Sequence, residues 1–88
     1  MFKERIQRVL NSRIKQACDK NGLDYTKYQD NPDLDLLESG MFDSLGFLEL
    51  ITSLENELNI EIDLSEYDPA EFILYHRLVR IIYERVKN

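Results

Sequence analysis

Ser44 stands between Asp43 and Leu45 in the stretch ESGMFDSLGFLELITSLENEL, residues 38 to 58, where an amphipathic helix is expected to begin. A serine hydroxyl in that place has three chemistries open to it: it caps the helix, it attacks a substrate, or it accepts a group from another enzyme. As a nucleophile it needs a general base. The chain holds one histidine, His76, in the apolar stretch that opens the last expected helix, and Phe42 and Gly46 occupy the glycine positions of a Gly-x-Ser-x-Gly elbow. Autonomous catalysis is therefore not expected, and the protein is read as a non-enzyme. Spacing alone favours Ser44 as an N-cap that accepts a backbone N–H of the first turn, although Asp43 can cap equally well. A serine modified by a separate enzyme needs only exposure and a recognisable setting. A phosphate attached there lies beside free N–H groups at the positive end of the helix dipole.

Other reactive side chains offer less. One Cys18 and one His76 cannot furnish a structural zinc site, and a single cysteine excludes an internal disulfide framework. Cys18 falls at the margin of an apolar stripe and reads as an inert small hydrophobe. Asp33, Asp35, Asp63 and Asp68 invite a calcium reading, but no stretch places carboxylates at loop positions 1, 3 and 5 with Gly at 6 and Glu at 12. No metal site is expected. The five tyrosines are spread along the chain as packing residues rather than as a stacking platform.

The elements that must position Ser44 follow from periodicity. Residues 2 to 18 read as a helix, with Phe2, Ile6, Val9, Leu10, Ile14 and Ala17 recurring at three- and four-residue spacings, and Asn21-Gly22 is a plausible stop. A basic amphipathic start also suits a membrane surface or a transit peptide, but a bundle helix needs the same stripe, and that reading is preferred. A long loop, rich in Asp, Asn, Pro and Ser, runs from Gly22 to about Phe42, with Leu36, Leu37, Met41 and Phe42 expected to tuck into the bundle. Residues 44 to 58 form the clearest helix. At ~100° per residue, Phe47, Leu50, Ile51, Leu54 and Leu58 gather on a core face, while Leu45, Leu48, Glu49, Thr52 and Asn56 point outward. Two leucines beside acidic groups on an outer face suggest a small apolar contact with a charged rim. Ile60 to Leu64 alternates like a strand but has nothing to pair with, so it is expected to be an extended connector. Asp68-Pro69 marks a further start, and Phe72, Tyr75, Val79, Ile82 and Val86, widened by Leu78 and Ile81, carry an apolar stripe to the C-terminus. The sum is three substantial helices and a short fourth near 65 to 72, forming one domain over residues 1 to 88.

The net charge of −6 is unevenly placed: residues 1 to 27 carry +4, residues 28 to 76 carry −13 without one Lys or Arg, and residues 77 to 88 carry +3. An unbroken acidic middle repels phosphate backbones, so nucleic acid is not an expected partner, whereas proteins with basic patches are. No apolar run approaches the ~20 residues that span a bilayer, so membrane insertion is not expected either. The N-terminus lacks the core of a signal peptide, and the expected location is the cytoplasm.

Asp43-Ser44-Leu45 at the head of the second helix, with Gly40 before it and Glu49-Leu50 after it, resembles the hallmark of the acyl carrier protein family. Leu54-Glu55-Asn56-Glu57-Leu58-Asn59-Ile60-Glu61-Ile62 is similar to that family's acidic helix end and following loop, so the resemblance covers roughly residues 34 to 72. It implies an all-α, acyl-carrier-like four-helix bundle in which Ser44 bears a 4′-phosphopantetheine arm. A separate Mg-dependent phosphopantetheinyl transferase would supply it from coenzyme A. The arm's thiol would carry a thioester-linked acyl or aminoacyl group to and from an activating ligase and an acyltransferase with basic surfaces. Asp43 would lie near the transferase's metal, Leu45, Leu48 and Glu49 would contact partners with Thr52 beside them, and the carrier would act as a monomer. Phe42 before Asp43 and Gly46 after Leu45 look more like the D-alanyl and related aminoacyl carriers than the fatty-acid carriers. Phe47 on the core face leaves less room to sequester a long chain, so a small cargo is expected. One departure stands out: Phe72-Ile73-Leu74-Tyr75-His76 has no Thr or Ser cap before the last helix, so helices three and four are expected to merge or bend differently. The rival reading is an acidic helical adaptor that binds a basic partner and is never modified.

Overall fold

The computed structural model describes residues 2–29 and 31–87, and four helices follow one another along them: α1 (Phe2–Asn21), α2 (Ser44–Leu58), α3 (Pro69–Phe72) and α4 (Tyr75–Lys87). Short 3₁₀ turns at Tyr25–Lys27 and Leu64–Glu66 interrupt the connections, and the described residues form no strand. The result is an all-α bundle of three longer helices and one short one, with a long first loop.

α1 exists because Ile6, Leu10, Ile14, Ala17 and Cys18 share one buried face. Phe2, which the spacing assigns to the same stripe, lies outside the described side chains. The helix runs to Asn21, three residues past the expected end, and closes where Gly22 adopts φ 70° and the Leu23 N–H donates to the Cys18 carbonyl at 2.8 Å. α2 buries Phe47, Leu50, Ile51 and Leu54, and ends at Asn59, whose left-handed φ of 55° returns its N–H to the Glu55 carbonyl. α1 packs against both α2 and α4. Leu78, Val79, Ile81 and Ile82 of α4 complete the core.

The first loop is built from small side-chain caps. Asp24 accepts from Thr26 N–H at 3.0 Å, Asn31 from Asp33 N–H at 3.0 Å, and Asp35 from Leu37 and Glu38 N–H at 2.9 and 2.8 Å. Between these turns Leu34, Leu36 and Met41 drop into the core, and Leu37 and Phe42 are half-buried against it. Two of the aspartates that invited a calcium reading are thereby explained as turn formers: Asp35 here, and Asp63, which accepts from Ser65 N–H at 3.0 Å. The connector expected over residues 60 to 64 is irregular and unpaired as a strand only over 60 to 63, since Leu64 already opens the second 3₁₀ turn. The connector is held instead by Ile62, which is buried and donates its N–H to the Glu55 carboxylate at 2.8 Å.

The last two helices do not merge. α3 stops at Phe72, and Leu74 makes an isolated antiparallel bridge with Asp35 before α4 begins at Tyr75. The missing side-chain cap is replaced by carbonyls from the first loop. Tyr75 N–H donates to Leu34 O at 2.8 Å and His76 N–H to Pro32 O at 3.0 Å, while Leu36 N–H donates back to Ile73 O at 2.8 Å. The donors that a helix start leaves unpaired are thus satisfied by chain forty residues away. His76 is exposed and adds a ring contact, Nδ1 to the same Pro32 carbonyl at 2.7 Å.

Candidate modification site at the start of α2

α2 begins with its cap on Asp43 rather than on Ser44. Asp43 has the extended backbone of an N-cap, φ −88° and ψ −178°, and its Oδ1 accepts from Gly46 N–H at 2.6 Å. This corrects the preference that spacing gave to Ser44: the carboxylate is one residue earlier, where the chain has not yet turned helical, and it reaches the third N–H of the helix. Gly46 makes room for that reach, since a Cβ there would meet Asp43 Oδ1 at 3.0 Å. Ser44 is left as the first helical residue, exposed to solvent, and the capping bond is made without its hydroxyl.

The neighbours predicted for the outer face are there. Leu45 is 66% and Leu48 55% exposed, and Glu49 and Thr52 are exposed beside them. Thr52 donates its hydroxyl back to the Leu48 carbonyl at 3.1 Å. On the opposite side, Phe47 is buried and stacks on Phe72 with ring centroids 5.7 Å apart. A cleft of about 340 Å³ runs between α1 and α2, with Asp43, Gly46 and Glu49 on one wall and Gln16, Lys20 and Asn21 on the other.

Two residues that matter to this geometry escaped the sequence reading. Asn21, read only as part of a helix stop, donates its side-chain amide to Met41 O at 3.0 Å. Glu55, read only as part of an acidic helix end, clasps the Ile62 backbone. Neither long-range partner leaves a local sequence signal. Elsewhere, burial pushes the Cys18 thiol above its ordinary value, with Asp19 and Asp24 adding to the effect, so it is a poor nucleophile. Among the described residues no three His, Cys, Asp or Glu side chains converge on a metal-sized site, and no helix is long and apolar enough to cross a membrane.

The fold and site thus make a small helical bundle that sets an exposed serine, not used in capping, at the head of its second helix beside two outward leucines, an arrangement open to modification by a separate enzyme. The phosphopantetheine attachment site family matches residues 3–69, and the chain belongs to that family of acyl and aminoacyl carrier proteins. The chain is similar to the D-alanyl carrier protein of Bacillus velezensis, 28% identical over 83 residues that cover 94% of this chain and 95% of the relative. It is 31% identical to the D-alanyl carrier protein of Latilactobacillus sakei over 71 residues, 81% of this chain and 88% of the relative. Against the D-alanyl carrier protein of Bacillus licheniformis it is 40% identical over 56 residues, 64% of this chain and 72% of the relative. The protein is accordingly a carrier whose prosthetic group is covalently attached 4′-phosphopantetheine. The start of α2 fits such a group, because it offers an accessible hydroxyl at the end of a helix whose dipole favours an anion.

Proposed function

We propose that Ser44 is the attachment serine and that the carried group is a small aminoacyl unit. The observation that supports this most is the division of labour at the start of α2: Asp43 caps, and Ser44 presents a free-standing hydroxyl to solvent. The bound group would supply a thiol on a long arm; the chain supplies the hydroxyl, the positive end of a helix, and the surface that transferring enzymes grip. That surface is Leu45, Leu48, Glu49 and Thr52, an apolar patch with an acidic rim suited to basic partners. Asp43 takes a second role next to the transferase's metal. The partners are a phosphopantetheinyl transferase, an activating ligase and an acyltransferase, met by a monomer that is one domain over residues 1 to 88 and performs no catalysis of its own. A cytoplasmic location fits these partners. D-alanine is the cargo that the relatives' names indicate, and Phe47 stacked on Phe72 favours a cargo of that size over a long chain.

Incubation with a broad-specificity phosphopantetheinyl transferase, coenzyme A and Mg, followed by intact mass, tests the reading. The expected result is a gain of one phosphopantetheine that Ser44→Ala abolishes. No gain on folded protein favours the unmodified adaptor. Recovery of the native holo protein loaded mainly with long fatty acyl chains rules out the small cargo.

A further inference from the structure

Asn21 does more than end α1. Its Nδ2 donates to Ala17 O at 2.9 Å, one turn back, and to Met41 O at 3.0 Å, across the first loop. An amide nitrogen has two hydrogens, and here each has an acceptor; an oxygen in that place would face two carbonyls, so the chemistry fixes the orientation. Met41 is 2% exposed and leads through Phe42 into Asp43, the cap of α2. Gly40, at φ 85°, precedes it and is the freest backbone position in this approach. The four residues before Ser44 are therefore held from one side by the Met41 side chain and the Asn21 bond, and from the other by the Asp43 cap.

We infer that Asn21 is a positioning residue for the modification site: it restricts residues 40–43 to the conformation in which Ser44 is offered to the modifying enzyme. The inference rests on the reading of Ser44 as the attachment serine. Without the bond, only a fraction of molecules present the competent approach. The apparent affinity for the transferase then falls by that fraction, while the rate at saturation is unchanged.

The test compares wild type with Asn21→Asp, which keeps the shape but removes the donor, and with Tyr75→Phe. The latter deletes the 2.7 Å bond from Tyr75 to Asn11, a side-chain contact of α1 ten residues before Asn21. Two readouts are taken at a temperature where all three are folded. Hydrogen exchange of the Gly46 and Phe47 amides in the unmodified protein is expected to accelerate in Asn21→Asp only. The KM for the carrier in transferase turnover is expected to rise about three- to tenfold in Asn21→Asp only, the size one ordinary hydrogen bond allows, with kcat within about twofold. Unchanged exchange at Gly46, or an equal KM rise in Tyr75→Phe, overturns the inference. If wild type accepts no phosphopantetheine, the carrier reading fails instead, and the exchange comparison still decides whether Asn21 holds the approach to α2.

Discussion

At the scale of single residues, Asp43 caps α2, and the proposed function gives it a second load beside the transferase's metal that substitution can separate from the first. Asp43→Asn keeps a side chain that caps as well as aspartate, so thermal stability should stay close to wild type, while the proposed role beside the transferase's metal predicts that phosphopantetheine transfer slows with the loss of the charge. Asp43→Ala loses the cap as well, at a cost of about 1 kcal/mol, or roughly 4–8 °C in Tm for a domain of this size. Calorimetry paired with transfer rates checks both; equal transfer by Asp43→Asn would reduce Asp43 to a cap. Cys18 offers a second check. Its buried thiol, pushed up in pKa, should react with iodoacetamide near pH 8 far more slowly in the folded protein than in urea. The residue reading of Ser44 was half visible in the sequence: Asp-Ser-Leu at a helix start marked the place, but two adjacent side chains can both cap, and only backbone geometry decides between them.

At the scale of elements, the connections carry as much specification as the helices. Glu55→Ala leaves the buried Ile62 N–H without its acceptor and should cost about 1–3 kcal/mol, read as a lower urea midpoint with unchanged slope. Asp24 and Asp63 hold their carboxyls below the ordinary range because the Thr26 and Ser65 hydroxyls and N–H groups donate to them. Their folded forms bind protons less readily than the unfolded chain does. The stability they add is therefore present above the unfolded value, near pH 4, and is lost as pH falls through the lowered folded values. An acid titration of Tm should show a shallower fall in Asp63→Asn than in wild type. The limits of α2 were legible to the residue, because Ser44 and Asn59 bracket an uninterrupted stripe. The break between α3 and α4 was legible only in part: a short helix ending near residue 72 was expected, but so was a merger, because the carbonyls of Pro32 and Leu34 that cap α4 come from a distant loop and leave no mark on the local pattern.

At the scale of the molecule, burial and charge divide the work. Phe47 bridges α2 to α3 through Phe72, and Phe47→Ala should cost about 3–5 kcal/mol, a large share of what a domain of this size has. The radius of gyration, 12.1 Å, matches the roughly 12 Å expected for a folded chain of this length. The acidic stretch from residue 28 to 76 includes all of α2, and binding to a basic partner enzyme should slow as ionic strength rises, through kon more than koff. That segregation was plain in the sequence, and so were the outward leucines, since helical spacing alone put Leu45 and Leu48 off the core face where they are found. The charge segregation also permits the most direct test of the central claim. Trypsin finds no Lys or Arg between Lys27 and Arg77, so Ser44 is released on a single peptide, residues 28 to 77, that also contains Ser39, Ser53 and Ser65. Fragmentation of that peptide from the holo protein should place the phosphopantetheine on Ser44 alone; finding it on another serine, or nowhere in the peptide, would contradict the account.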